Sequence, residues 1–350
     1  MTASPLIEIE GLRVIFHGDG GRTTHAVDRV DLSVANGATL GLVGESGCGK
    51  SVTSLAIMGL LSKQSAEVSG TIRFDGYDLL EVPDKTLRDL RGNRLAMIFQ
   101  EPMTSLNPVF TVGDQIAEAI TLHQKKTRSQ AWKEAIEILR QVGIADADRR
   151  VGEYPHQMSG GMRQRVMIAM AMSCRPTLLI ADEPTTALDV TIQAQILDLI
   201  SELQKQNNMS VLLITHDLGV VAERADEVAV MYASRIAEQA TAQQLFEKPL
   251  HPYTQGLLRS RPQLGKNEKR LPVIPGIVPD PLHFPSGCKF HPRCPIGNDD
   301  PRCKTIEPQL RNADGNRCVA CWYAPGYETK EEFDNYEKDY GKHKQPSAES

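Results

Sequence analysis

The sequence has no apolar run long enough to cross a lipid bilayer. A membrane-spanning helix needs about 20 predominantly apolar residues, and every apolar run in this 350-residue chain is far shorter. The first ten residues also lack the basic-then-apolar pattern of a secretory leader. We therefore expect a cytosolic chain with reduced thiols, which reaches a membrane only through partner subunits.

A surplus of positive charge and an abundance of aromatic residues are also missing. The chain has 39 Lys and Arg residues against 44 Asp and Glu residues, and only 5% of its residues are aromatic. Dedicated nucleic-acid-binding domains usually carry a basic surplus, so we do not expect nucleic acid as a partner. The hydrophobic share of 41% is ordinary for a soluble globular protein.

What is present is an alternation of strand-like and helix-like segments. Apolar strand patterns occur at 39–43, 95–99, 178–181 and 211–215. Helical periodicity occurs at 50–61, 128–143, 161–173 and 193–206. This alternation predicts an α/β fold with a parallel sheet between helices. Period-two hydrophobicity around Val14 and Leu32 predicts further N-terminal strands, and residues 113–172 are predicted to form a helical insertion.

The composition changes after Pro249. Ten of the 21 prolines fall within 262–308, which excludes long helices there and predicts an extended segment around a small cysteine-rich unit. Beyond Tyr327 the chain is dominated by charged and small polar residues, which predicts disorder. We therefore predict a main domain over 1–260, a Pro/Cys-rich extension over 261–327 and a disordered tail over 328–350.

The segment after the strand at 39–43 has the sequence of a phosphate-binding loop. It consists of Gly44, Glu45, Ser46, Gly47, Cys48, Gly49, Lys50 and Ser51, and Val52 continues it into a helix. The glycines let backbone N–H groups approach phosphate oxygens at a helix N-terminus. Lys50 would contact the terminal phosphates of ATP, and the Ser51 hydroxyl would bind Mg²⁺. The alternative is a glycine-rich turn that merely starts a helix, but the preceding strand and the complete match favour a nucleotide site.

Candidate catalytic residues follow two of the later strands. Asp182 and Glu183 end the apolar segment that begins at Leu178. Asp182 would hold Mg²⁺, and Glu183 would activate the attacking water as a general base. His216 follows the strand at 211–215 and would stabilise charge that develops at the γ-phosphate. Single acids and histidines are commonly structural, but the upstream phosphate loop makes catalytic roles for Glu183, His216 and Lys50 the expected interpretation.

A second glycine-containing loop narrows the class of nucleotide-binding protein. Residues 158–165, Met-Ser-Gly-Gly-Met-Arg-Gln-Arg, resemble the signature sequence of ABC ATPases, although Met158 and Met162 replace the usual Leu and Gln. The resemblance covers about 6–245. It implies a P-loop NTPase fold with a RecA-like parallel-sheet core, an N-terminal antiparallel β-subdomain and an inserted helical subdomain. It also implies that two cassettes enclose two ATP molecules, with Ser159, Gly160 and Gly161 at the partner's γ-phosphate.

Other positions match ABC motifs in the same order. The resemblance implies that Gln100 is the glutamine that senses Mg²⁺, that 186–189 form the D-loop, and that Phe16 stacks on adenine. Soluble ABC ATPases of DNA repair or translation are an alternative within the family. They usually contain a long coiled coil or tandem cassettes, whereas the interval from Lys50 to Ser159 is compact and has no heptad repeat.

Three segments, 99–108, 183–191 and 251–254, are similar to the dipeptide/oligopeptide importer subfamily, and especially to the ATP-binding subunits of bacterial dipeptide permeases. The resemblance implies ATP-driven uptake of dipeptides or oligopeptides. It implies a second, different ATPase subunit, two transmembrane permease subunits and an extracytoplasmic peptide-binding protein as partners. The chain would then be peripheral at the cytoplasmic face of the bacterial inner membrane. The subfamily also transports nickel and glutathione, so the cargo stays open.

Five of the seven cysteines lie in the extension, at Cys288, Cys294, Cys303, Cys318 and Cys321. In a cytosolic segment this clustering indicates a metal before disulfides. Structural zinc sites usually have two closely spaced Cys pairs, and only the last two cysteines form one. The spacing therefore favours a [4Fe–4S] cluster over Zn²⁺, with unligated thiols as the third alternative. The importer resemblance implies Cys288, Cys294, Cys303 and Cys321 as ligands, with Cys318 as a possible substitute for the last.

Overall fold

The structure is a computed structural model that describes residues 5–18, 21–100, 105–186, 188–260 and 273–325. Within these residues the chain forms two β-sheets with helices around them, which confirms the predicted α/β class. The predicted disordered tail and residues 261–272 of the Pro-rich segment lie outside the described residues. No helix in the described part of the chain is both long and apolar enough to cross a bilayer.

The strands and helices are numbered here in chain order. The strands are β1 (Ile7–His17), β2 (Thr23–Val34), β3 (Thr39–Val43), β4 (Ala66–Phe74), β5 (Tyr77–Asp78), β6 (Leu95–Ile98), β7 (Leu178–Asp182), β8 (Ser210–Thr215), β9 (Glu227–Tyr232), β10 (Arg235–Thr241), β11 (Arg311–Asp314) and β12 (Arg317–Val319). The α-helices are α1 (Lys50–Ile57), α2 (Asp84–Leu90), α3 (Val112–Gln124), α4 (Arg128–Gln141), α5 (Ala147–Arg150), α6 (Gly160–Met172), α7 (Val190–Asn207), α8 (Leu218–Arg224), α9 (Ala242–Glu247), α10 (Pro252–Arg259) and α11 (Pro301–Thr305).

The N-terminal sheet is antiparallel, with the strand order β2-β1-β4-β5. In β1 the side chains of Ile7 and Ile9 are buried, and after a register shift the buried positions are Leu12 and Val14. Gly11 lies at this irregularity with a φ of +58°, a backbone conformation that glycine adopts readily. The irregularity keeps both apolar pairs of a long strand on the buried side of the sheet.

The larger sheet has the order β11-β12-β10-β9-β3-β8-β7-β6. Strands β9, β3, β8, β7 and β6 are parallel neighbours, so their carboxyl ends lie along one edge. On the other side β10, β12 and β11 are antiparallel additions. The last two strands come from the Cys-rich extension, so the extension continues the main sheet. The sequence did not predict this pairing.

The apolar core lies on both faces of the larger sheet. In β7, Leu179 and Ala181 pack with the helical insertion, whereas Leu178 and Ile180 pack toward the N-terminal sheet. Both faces of a parallel strand are covered, which explains why its sequence is continuously apolar rather than alternating. Packing on both faces therefore supports the sheet up to the carboxyl ends of its parallel strands.

The helical insertion is formed by α3 to α6. Three of its helices begin with a side chain that accepts a hydrogen bond from the first turn, contributed by Thr111, Thr127 and Ser159. Such caps stabilise a helix start by about 1 kcal/mol each. The helix predicted at 50–61 is shorter in the structure. It ends at Ile57, because Gly59 follows with a φ of +59°.

Candidate functional site

The phosphate-binding loop connects β3 to α1 and requires glycine where it contacts neighbouring backbone. A Cβ atom on Gly44 would lie 2.1 Å from the carbonyl oxygen of Met231, and one on Gly49 would lie 2.3 Å from that of Ala26. Gly49 also has a φ of +110°. Neither position has room for a side chain, so the loop is fixed closely against β2 and β9.

Lys50 is buried beneath this loop, with 6% of its surface exposed. Its Nζ donates to the carbonyl oxygen of Gly44 at 2.8 Å and to that of Glu45 at 3.1 Å. The positive charge therefore adds to the N-terminus of α1, where backbone N–H groups favour an anion. The Sγ atom of Cys48 lies 3.8 Å from this ammonium, and burial raises the pKa of that thiol.

Asp182 ends β7 and faces the first turn of α1. One of its carboxylate oxygens accepts from the Ser51 hydroxyl at 3.1 Å, and the other accepts from the Ser54 hydroxyl at 3.3 Å. Burial raises the pKa of Asp182, and these two hydrogen bonds only partly offset that effect. Hydroxyl and carboxylate oxygens are the ligands that Mg²⁺ prefers. Ser54 was not predicted, although it lies three residues after Ser51, on the same helix face.

Glu183 lies just past the strand, with a φ of +47°. One of its oxygens accepts from Gln100 Nε2 at 3.0 Å and from the Thr186 hydroxyl at 2.8 Å, and the other lies 3.4 Å from His216 Nδ1. Burial by itself would raise the pKa of Glu183, but the hydrogen bonds from Thr186 and His216 outweigh it and lower the pKa. The carboxylate is thus held ionised, as a general base requires.

These side chains meet because the parallel strands end at one edge of the sheet. Gln100 follows β6, Glu183 follows β7 and His216 follows β8. Functional groups of α/β folds collect at the carboxyl ends of strands for this reason. The structure therefore brings the predicted polar residues of three strands into direct contact beside the phosphate loop.

The signature loop lies at the start of α6, in the helical insertion. It is far from Lys50 in the sequence, and it does not follow a strand of the larger sheet. Ser159 caps this helix, and Gly161 packs so closely on Ile192 that an added Cβ would lie 3.2 Å away. Farther along α6, the buried Gln164 donates to the carbonyl oxygen of Pro184, next to Glu183. Ser159 and Gly160 are exposed, as a surface that binds a second subunit requires.

The remaining predicted nucleotide contacts are Phe16, Val52, Ser46 and Gly47. Phe16 is half-buried at the end of β1, and Val52 is half-buried in α1; both pack on the apolar cluster beneath the N-terminal sheet. Ser46 and Gly47 are exposed at the tip of the loop. The role of Phe16 in stacking on adenine stays a prediction.

Two residues outside the ATP motifs contact the loop at Glu45. Arg293 of the extension donates to both carboxylate oxygens of Glu45, at 2.8 and 3.1 Å. The backbone N–H of Glu45 donates to the Tyr253 hydroxyl at 3.0 Å. Tyr253 belongs to the segment 251–254, whose sequence is similar to that of dipeptide/oligopeptide importer subunits. Arg293 was missed, because its only sequence signal is its position beside Cys294.

Four of the five clustered thiols lie close enough to influence one another electrostatically. They are Cys288, Cys294, Cys303 and Cys321. Burial, reinforced by the neighbouring thiols, raises the pKa of Cys288 to about 12. Cys318 lies apart in β12, where burial alone raises its pKa.

Gly297 separates two of these thiols. Its N–H donates to Cys294 Sγ at 3.2 Å, and an added Cβ would lie 2.9 Å from Cys303 Sγ. A side chain at this position would collide with the Cys303 sulfur. In the described residues, however, no group of three or more His, Cys, Asp or Glu side chains is arranged to hold a metal ion.

Two family models match the chain. A model described as "ABC transporter" matches residues 27–186, which include the phosphate loop, the signature loop and both acids. A model described as "Oligopeptide/dipeptide transporter, C-terminal region" matches residues 237–303. The second match contains Tyr253, Arg293 and the first three of the clustered cysteines.

Curated relatives match nearly the whole chain. It is 51% identical over 318 residues to a dipeptide transport ATP-binding protein of Escherichia coli, covering 91% of this chain and 96% of the relative. It is 52% identical over 316 residues to the Haemophilus influenzae protein of the same name, covering 90% and 94%. A putative peptide import ATP-binding protein of Brucella abortus is 50% identical over 334 residues, covering 91% and 98%.

Solved structures share the fold. The ATP-binding cassette MJ0796, solved as a dimer in a post-hydrolysis state with ADP and Pi, superposes with a TM-score of 0.60 at 23% identity, covering 67% of this chain and 98% of that one. The cbiO1 protein of Clostridium perfringens, part of an ABC transporter complex, superposes with a TM-score of 0.58 at 26% identity, covering 70% and 91%. The motif geometry, the family models and these relatives agree, and the chain belongs to the ABC transporter ATP-binding proteins of the dipeptide/oligopeptide type.

Proposed function

We propose that this chain hydrolyses ATP to drive bacterial import of dipeptides or oligopeptides through partner permease subunits. The observation that carries the proposal is the contact between a general base and its supporting groups, Glu183 with Gln100 and His216, directly beside the Lys50 loop. The cargo class is supported by the dipeptide and peptide import proteins that are about half identical over nine-tenths of the chain.

Each polar group of the site has a distinct task in this proposal. Lys50 and the loop N–H groups bind the β- and γ-phosphates of ATP, and Ser51 and Asp182 would hold Mg²⁺, which would neutralise charge on those phosphates. Glu183 orients the attacking water and accepts its proton, for which its lowered pKa keeps it ionised. His216, 68% exposed and 3.4 Å from Glu183, donates toward the γ-phosphate as negative charge develops there. Gln100, which donates to Glu183, would sense Mg²⁺ and the permease subunits.

Hydrolysis in this proposal requires a second cassette. The exposed Ser159 and Gly160 would contact the γ-phosphate held by the Lys50 loop of the partner, and the partner would complete this chain's own site in return. The dimeric state of the cassette MJ0796 supports this arrangement. We propose that the partner is a different ATPase subunit, that the pair binds the permeases at the cytoplasmic face of the inner membrane, and that an extracytoplasmic binding protein delivers the peptide.

The general-base role is tested by Glu183→Gln in the assembled importer. The substitution keeps the shape and the hydrogen bonds from Gln100 and Thr186 but removes the proton acceptor. We expect MgATP affinity within about threefold of wild type, and turnover reduced by about 10² or more. Glu153→Gln is a matched control on the helical insertion, away from the loop, and should leave turnover unchanged. Wild-type turnover of the Glu183→Gln protein would refute the assignment.

We also propose that the extension holds a [4Fe–4S] cluster on Cys288, Cys294, Cys303 and Cys321. These thiols influence one another, Gly297 leaves room between two of them, and its N–H donates to a sulfur as expected beside a cluster. The cluster would cross-link a segment that is poor in apolar residues.

Anaerobic purification of the full chain tests the cluster by metal analysis and visible absorbance. We expect about four iron atoms per chain with broad visible absorption, retained in Cys318→Ser and lost in Cys321→Ser. About one zinc atom per chain, or no metal, would overturn the proposal. Equal iron loss in both variants would reject the assignment of Cys321, rather than Cys318, as the fourth ligand.

A further inference from the structure

The loop that binds phosphate is itself held from outside by the C-terminal part of the chain. Glu45 is the second residue of the loop, and its side chain is 29% exposed. Its carboxylate receives two hydrogen bonds from Arg293, and its backbone N–H is bound by the Tyr253 hydroxyl. Arg293 lies 248 positions away and is itself nearly buried, with 4% of its side chain exposed.

Both contacting residues are rigidly placed. The Arg293 Nε donates to the Pro275 carbonyl oxygen at 2.9 Å, and its guanidinium lies 5.8 Å from the centre of the Tyr232 ring. The Tyr253 ring is completely buried and lies 4.5 Å from that of Tyr232. The Nδ1 atom of His251 accepts from the Tyr253 N–H at 3.0 Å and caps α10. Each of the two residues is thus tied to its surroundings by contacts other than the one with Glu45.

Glu45 transmits this restraint to the catalytic lysine. The carbonyl oxygen of Glu45 accepts from Lys50 Nζ at 3.1 Å. Arg293 contacts the carboxylate of Glu45, and Tyr253 contacts its backbone N–H. Both residues therefore restrain the residue that helps to position the ammonium. The carboxylate of Glu45 also adds a negative charge to a loop that must bind an anionic nucleotide. A bidentate guanidinium is the cation best suited to neutralise it.

We propose that Arg293 and Tyr253 are positioning residues for ATP binding and hydrolysis, which hold the loop through Glu45 and compensate its charge. The inference rests on the proposed ATPase function and adds a task for the C-terminal extension: its Arg293 neutralises the carboxylate that Glu45 places in the phosphate loop. The extension thereby controls the affinity of the chain for MgATP without contacting the nucleotide.

Arg293→Gln tests the charge compensation. It leaves Glu45 uncompensated beside the phosphates, and we expect the KM for MgATP to rise about tenfold, the equivalent of about 1.4 kcal/mol. Glu45→Gln removes the negative charge together with the ion pair, so it should raise the KM for MgATP less than Arg293→Gln does. The double variant Glu45→Gln/Arg293→Gln should recover most of the lost affinity. A purely structural role of Arg293 would give no such recovery.

Tyr253→Phe tests the second contact independently of charge. It keeps the buried ring but leaves the Glu45 N–H without its acceptor, and we expect kcat/KM to fall about threefold to tenfold. This conservative change keeps the proposal testable if Arg293→Gln does not fold. The matched control is Arg302→Gln, which breaks another two-pronged arginine–carboxylate pair of the extension, with Asp300, and should leave KM and kcat unchanged.

The measurements use the full chain assembled with its partner cassette and permeases. Recovery in the double variant, together with a loss in Tyr253→Phe, supports the inference. Equal impairment of Arg293→Gln and the double variant, or wild-type kinetics of Arg293→Gln and Tyr253→Phe, overturns it. Glu183→Gln in the same preparation distinguishes failure of this inference from failure of the proposed ATPase function. Unaltered hydrolysis by Glu183→Gln refutes the proposed function, whatever the Arg293 variants do.

Discussion

Loss of one buried arginine should destabilise the junction between the extension and the main sheet. Glu238 in β10 is completely buried, and its carboxylate accepts from Arg317 at the start of β12 at 2.7 Å. It also accepts from the backbone N–H groups of Leu250 and His251, both at 2.9 Å. Arg317 additionally donates to the Lys248 carbonyl oxygen. One ion pair thus joins two strands and the chain segment that leads to α10.

The structure sets the size of the expected effect. Arg317→Met fills a similar volume but leaves a fully buried carboxylate with only two amide donors, and breaking a buried pair in this way costs about 3–5 kcal/mol. The exposed control Arg302→Met breaks the pair with Asp300, where the arginine side chain is 42% exposed, and should cost about 1 kcal/mol or less. Glu238→Gln in the Arg317→Met background should recover part of the loss, because the unpaired charge is removed.

Chemical unfolding of the full chain measures these differences. The change in unfolding free energy is compared among wild type, Arg317→Met, the Glu238→Gln/Arg317→Met double variant and Arg302→Met, with circular dichroism as the signal. A loss for Arg317→Met no larger than that of the Arg302→Met control would refute the argument. So would a double variant that is less stable than Arg317→Met, because the uncompensated carboxylate would then not be the cause.

Two further predictions concern the nucleotide site. Asp182→Asn should raise the melting temperature of the nucleotide-free chain at neutral pH while abolishing Mg²⁺-dependent hydrolysis. Burial raises the pKa of Asp182, so its ionised form opposes folding above the ordinary Asp pKa; the gain should vanish in acid, and a gain that persists there would contradict this cause. Gly49→Ala should lose nucleotide binding and several kcal/mol of stability, because its Cβ would meet the Ala26 carbonyl oxygen. Gly47→Ala is the control: its Cβ would lie in open space, and denaturation measurements should show a loss of about 1–2 kcal/mol.

Local sequence was sufficient for the core of the fold and for the nucleotide motifs. The strand at 39–43 was predicted with its exact bounds, and the loop from Gly44 to Ser51 was recognised from glycine spacing and one lysine. These features are local: a continuous apolar run forms a covered parallel strand, and a tight loop over phosphate demands glycine. The contact of Glu183 with His216 was also foreseeable, because both follow parallel strands.

Long-range contacts were decided only by the tertiary structure. The ion pair between Glu45 and Arg293 and the addition of β11 and β12 to the main sheet leave no periodic or motif signal in the sequence. Each depends on where the extension docks, and docking is set by buried pairs such as Glu238 with Arg317 whose members are distant along the chain. The sequence by itself determined the ABC ATPase family and the local phosphate-loop and signature motifs. The tertiary structure determined that the C-terminal extension contacts the phosphate loop, because Arg293 and Glu45 are 248 positions apart and meet only in the folded chain.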